Sequence, residues 1–200
     1  MTTKQPRRGT IWQAALVAIP VLLGIIAACG SDDDSSTADK KDSTTTTTEP
    51  EDLEMQADDF VSLKDMTPVR GFFVDNPLGH LDEAVAVAED LDGGGEYPVG
   101  TVIQLIPFEA MVKRAPGFDN LTNNWEFFSL EVSAEGTKIV TRGSRDVINQ
   151  FGGNCFDCHS RAKPEFDFIC EKDHGCDPLP IGDDVIHAVQ EGDPRPARSG

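Results

Sequence analysis

The chain has 200 residues and a formal charge of −18 at pH 7. That length allows one modest domain, and so acidic a chain excludes electrostatic binding of nucleic acid or anionic lipid headgroups as its main business. A soluble acidic surface suits an encounter with a basic redox partner protein, and equally suits a secreted protein with no such partner.

Met1 to Thr10 carries Lys4, Arg7 and Arg8 and no acid, and Ile11 to Ala28 is almost wholly apolar, interrupted by Gln13 and Pro20. A charged start, an apolar middle and a small-residue end predict an export signal over residues 1–28. The run closes on Ile26-Ala27-Ala28-Cys29-Gly30. A small pair directly ahead of a Cys resembles the lipobox of bacterial lipoproteins, which implies cleavage before Cys29, lipidation of Cys29 and a lipid anchor in a bacterial membrane. An uncleaved membrane helix is the alternative, since about eighteen apolar residues nearly span a bilayer. Arg7-Arg8 lacks the rest of a twin-arginine signal. Under each reading the remainder lies outside the cytoplasm.

Residues 29–59 hold Ser31-Asp32-Asp33-Asp34-Ser35-Ser36 and a Thr run from Thr44 to Thr48, with no apolar period. Such a segment cannot bury enough surface to offset its ordering entropy. It is expected to be a disordered acidic tether, spanning roughly 30 Å as a coil. A folded domain is expected over residues 60–187 and a flexible tail over 188–200.

Within that domain, Val69 to Val74 reads as a short strand stopped by Asp75-Asn76-Pro77. Leu81, Val85, Ala88 and Leu91 recur at helical spacing, and Gly93-Gly94-Gly95 ends that helix. Val99 to Ile106 is β-branched and nearly all apolar, a strand buried on both faces, with Gln104 as its one large polar side chain. Trp125 to Val132 and Thr137 to Arg142 flank Ala134-Glu135-Gly136 as a hairpin. On the first of these strands Phe128, Leu130 and Val132 share one face and Trp125 and Phe127 the other, so one face is expected to serve the core and the other a ligand.

The sharpest motif is Cys155-Phe156-Asp157-Cys158-His159. C-x-x-C-H is the attachment pattern for haem c. Two thiols add across the haem vinyl groups, and the imidazole after the second Cys binds the iron from one face. A redox dithiol and half of a zinc site are the alternatives. Gly152-Gly153 ahead of the motif is expected to let backbone approach the porphyrin. Cys170 and Cys176 remain, and in an oxidising compartment a local disulfide is their expected fate. A metal site from Cys170, His174 and Cys176 is the rival reading.

A late C-x-x-C-H behind a body of strands resembles the cytochrome P-460 family and its relative cytochrome c′-beta. The likeness rests on Tyr97-Pro98-Val99-Gly100-Thr101-Val102-Ile103, on Asn124-Trp125-Glu126-Phe127-Phe128, and on Gly153-Asn154-Cys155-Phe156-Asp157-Cys158-His159. It implies a mainly β (α+β) fold: an antiparallel sheet, one or two helices packed on it, and a C-terminal haem-c attachment loop. It also implies His159 as the proximal ligand and a distal side that is open or lined by apolar side chains. Some members oxidise hydroxylamine and carry a Lys joined to the porphyrin, whereas others bind gases without that link. The corresponding strand here has Gln104 and no Lys, and Lys113, past Pro107, reads as a solvated loop residue.

His80, His174, His187 and Met66 are each a conceivable sixth ligand, though each alone is better read as a surface or core residue. With no placed Met and ten Phe residues from Phe72 to Phe168, the expected site is five-coordinate, with Gln104, Phe127 and Phe128 on its distal side. Gln104 would then donate to a bound small molecule; the plainer reading has it bonding backbone at a sheet edge. Three functions stay open: binding of nitric oxide or a related small haem ligand, one-electron transfer, and oxidation of hydroxylamine-like compounds.

Overall fold

A computed structural model describes residues 51–198. The signal segment, Cys29 and the tether as far as residue 50 lie outside the described residues. Among the described residues, no helix is long and apolar enough to cross a membrane.

One six-stranded antiparallel sheet organises the unit, and its spatial order is the chain order, β1 to β6. The strands are β1 (Thr67–Val69), β2 (Phe72–Asp75), β3 (Val102–Gln104), β4 (Glu109–Lys113), β5 (Trp125–Ser133) and β6 (Gly136–Gly143). Three helices join them: α1 (Leu81–Glu89), α2 (Cys155–His159) and α3 (Asp183–Glu191). The expected antiparallel α+β class is therefore observed, with one helix more than expected.

Several expected boundaries shift, each for a local reason. The single strand over Val69 to Val74 is a tight hairpin, because Arg70 takes a left-handed φ of 53° and turns the chain between Val69 and Phe72. The Arg70 guanidinium bonds the Glu171 carboxylate, which secures the turn from outside the hairpin. The long strand over Val99 to Ile106 shrinks to β3, since Gly100 and Thr101 are held in a turn by the Pro98 carbonyl and by Lys113. Strand β4 has no counterpart among the expected elements. Its apolar centre, Ala110-Met111-Val112, is framed by Glu109 and Lys113, which imitate a solvated loop.

Alternation along the strands gives the sheet two apolar faces. The first carries Val69, Phe72, Val74, Ile103, Met111, Trp125 and Phe127, and packs against Ala84 and Ala88 of α1 and against Val147, Cys155 and Ile169. The second carries Val102, Ala110, Val112, Phe128 and Leu130, and is covered by Met55, Phe60, Leu63 and Met66. Trp125, Phe127 and Phe128 are fully buried, and truncating a ring of this kind to Ala costs about 3–5 kcal/mol.

Met55, at 1% exposure, moves the start of the packed unit ahead of Phe60. Asp52 bonds Arg114 at 3.0 and 2.7 Å, and Arg114 and Arg142 converge on the buried Glu126. The end moves too: Gln190, Asp193 and Arg195 are buried, so the expected flexible tail over 188–200 is structured at least through Arg195. Asp193 accepts from the Leu63 amide at 2.8 Å and from Arg195 at 2.8 Å. The two ends of the unit thus clasp each other over the second face.

Candidate functional site

The C-x-x-C-H motif lies under the first face. After β6 the chain doubles back through an isolated bridge between Ile148 and Asn154, and the Cys155 amide donates to the Val147 carbonyl at 3.0 Å. The Gly152-Gly153 pair closes this turn. Gly152 has φ 80°, and Gly153 N–H donates to Asn149 Oδ1 at 2.8 Å. Asn154 then caps α2, its side-chain oxygen accepting from the Asp157 amide at 3.0 Å. A single helical turn sets Cys155 inward, Cys158 half-buried and His159 against the sheet.

His159 is fixed on two sides. Its Nδ1 lies 2.7 Å from the Phe168 carbonyl oxygen. A carbonyl only accepts, so Nδ1 carries the proton and Nε2 keeps its lone pair. Its ring centroid is 5.4 Å from that of Phe127. Burial pushes the imidazole below its ordinary range, partly offset by the bond to Phe168. The neutral ring with a free Nε2 is the form that ligates a metal.

The two thiols are free and separate. Burial pushes Cys155 up to about 12, with the nearby charges of Glu109 and Cys158 adding to it. Burial raises Cys158 too. A redox dithiol needs a lowered thiol, so this environment disfavours that alternative. Cys170 and Cys176 form a disulfide, with Cα atoms 5.5 Å apart. Their sulfurs are thus committed to each other, which removes the rival metal site with His174. Among the described residues no group of three or more His, Cys, Asp or Glu is arranged to hold a metal ion.

The expected distal trio does not assemble. Phe127 packs on His159, but Phe128 lies in the cluster on the opposite face. Gln104 pairs with Phe73 across β2 and β3 and alternates away from Ile103, which also puts it on the opposite face. Its amide nitrogen donates to the Glu109 carbonyl at 3.1 Å and the Pro107 carbonyl at 3.4 Å, the plainer of its two expected roles. Met66 belongs to the second cluster as well. His187 sits on α3, beside a concavity of about 330 Å³ lined by Leu63, Lys64, Phe73 and Gln190. His80 is half-exposed beside Glu83. The His174 ring stacks on Phe166 at 3.6 Å, with Nδ1 3.0 Å from the Ile169 carbonyl.

Sequence reasoning missed what stands behind Phe168. Lys113 is 2% exposed, not solvated, and its ammonium donates to both Asp167 oxygens at 2.9 and 2.8 Å. Asp167 also accepts from the Tyr97 amide at 2.9 Å and from Asn123 Nδ2 at 2.6 Å. Its own carbonyl accepts from Trp125 Nε1 at 2.8 Å. The only signal in sequence was Asp167-Phe168 itself, eight and nine residues past His159, with nothing to mark its buried cation.

Comparison with known proteins adds no relative: no family model, no curated protein and no solved structure matches the chain. The likeness to cytochrome P-460 therefore rests on the quoted motifs alone.

Proposed function

We propose that this chain is an extracytoplasmic c-type haem protein, anchored through lipidated Cys29. One haem would be held by thioethers to Cys155 and Cys158, with His159 Nε2 as the axial ligand to iron. The donor set fits the group: two protonated thiols one helical turn apart, and an imidazole whose other nitrogen is already bonded. The observation that carries this reading is the Nδ1 contact to Phe168, because it leaves Nε2 as the free donor. The disulfide agrees with an oxidising compartment.

When bound, iron-porphyrin supplies a coordination position for small molecules or a one-electron couple. Binding of a nitrogen-oxide-type ligand at an open iron position is the favoured activity, since Met66 and His187 lie on the far side of the sheet from His159. One-electron transfer is the second reading, favoured by a single observation. Met111 pairs with Phe127 across β4 and β5, on the face that packs His159. Hydroxylamine oxidation with a Lys–porphyrin link has less support, because the ammonium of Lys113 is engaged by Asp167.

The test is maturation in a host that assembles c-type cytochromes. The expected result is a mass gain of one haem that survives denaturation and is lost in Cys155→Ala/Cys158→Ala. Colourless protein with two free thiols rejects the reading. A high-spin ferrous spectrum, unchanged in Met111→Leu, supports the open site. A low-spin spectrum that becomes high-spin in Met111→Leu assigns electron transfer instead.

A further inference from the structure

Asp167 and Phe168 are consecutive non-glycine residues in the left-handed region, with φ of 46° and 66°. The chain takes this unfavourable double turn directly after the short 3-10 helix Pro164–Phe166. The turn aims two neighbouring carbonyls in useful directions. That of Asp167 accepts from Trp125 on β5; that of Phe168 accepts from His159. The Asp167 carboxylate is gripped from three further places: Lys113 on β4, Asn123 in the turn before β5, and the Tyr97 amide. Lys113 also donates to the Asn123 carbonyl at 2.9 Å, so the cation ties the grip together. The side chains of Lys113 and Asp167 are each 2% exposed. Buried charges this well paired hold one geometry and tolerate few others.

We infer that Asp167 is a positioning residue for the axial ligand: the sheet, through Lys113 and Trp125, and the loops beside it, through Asn123 and Tyr97, hold the Asp167-Phe168 turn so that the Phe168 carbonyl fixes the tautomer and tilt of His159. Its functional meaning rests on the haem reading above; its geometry does not. Partners of this kind behind a ligating imidazole fix its orientation and raise its basicity. Loosening the turn lengthens the Nδ1 hydrogen bond and weakens the donor strength of Nε2.

Three variants test this. Asp167→Asn keeps the size of the side chain and removes the charge that faces Lys113. Trp125→Phe removes the indole N–H on the Asp167 carbonyl together with part of a fully buried ring, leaves the Asp167 carboxylate and its charge in place, and decides the matter if Asp167→Asn does not fold. Glu126→Gln is the control, since it breaks a buried ion pair of the same kind on the opposite face. In haem-loaded ferrous protein, resonance Raman reads the iron–histidine stretch. The expected result is a shift to lower frequency in Asp167→Asn, a smaller shift in Trp125→Phe, and none in Glu126→Gln. An unmoved band in both folded test variants overturns the inference, as does an equal shift in the control. A second arm needs no haem: the imidazole ¹⁵N resonances of His159 should report an Nδ1-protonated ring in the wild type and a tautomer mixture in the two test variants. If the thiols take up no haem, the reading of the preceding section fails, and an unchanged tautomer in this arm overturns the present one separately.

Discussion

Glu109 shows how a single half-buried carboxyl acts against the fold that holds it. It opens β4, and burial raises its pKa above the ordinary carboxylate range, while the amide of Gln150 offsets part of that rise. A raised carboxyl favours the folded state fully only below its unfolded value, near 4.5, and loses that contribution as pH rises through the folded value. Glu109→Gln should therefore raise the urea midpoint at pH 7, and the gap to the wild type should close on going to pH 4. An equal gap at both pH values would contradict this. Lys113 and Asp167 teach the companion lesson about legibility. A lone Lys or Asp in a sequence reads as exposed, because isolated charges are rarely buried. The pair that makes burial tolerable is separated by 54 residues, and no local pattern links them. The C-x-x-C-H pattern stands out in the sequence for the opposite reason, since its five residues are contiguous.

Among the elements, the hairpin of β5 and β6 was the most readable, because alternation and a Gly turn coincide there. Even so, its register slips between Ser129 and Leu130, a bulge that no residue type announces. Gln104 and Phe128 were misplaced through strand parity: β3 and β5 carry side chains on both faces, and sequence alone does not say which parity meets His159. The disulfide loop was legible from the close spacing of its two cysteines. It lies close to α2, with Cys170 Sγ 3.9 Å from the Cys158 carbonyl. Closing so short a loop gains about 2 kcal/mol from chain entropy. Cys170→Ser/Cys176→Ser should lose about that much in urea unfolding, and a loss well below it would mean that the loop is held by its other contacts.

For the molecule as a whole, the C-terminal segment is part of the core's cover. Asp193 would be pushed up by burial, but hydrogen bonds from Arg195 and from the Leu63 amide outweigh this and hold it below its ordinary value. A lowered carboxyl contributes in full above its unfolded value of 3.8 and loses that contribution as pH falls through the folded value. Asp193→Ala leaves Arg195 buried without its partner and should cost about 3 kcal/mol at pH 7. The cost should shrink at pH 3, measured by the same denaturant titration.

The sheet's order repeats the chain's order from end to end. Each strand therefore finds its mate in the strand made just before it, and pairings of this kind close quickly. A chain emerging amino-terminus first can zip its ladder progressively, without waiting for distant sequence. Contacts that must wait for distant sequence include the grip of Asp167 on Lys113 and the clasp of Asp193 on Leu63, which span 54 and 130 residues. Vectorial assembly thus leaves the imidazole's seat to be finished near the end, after α2 and both of its thiols have already been made.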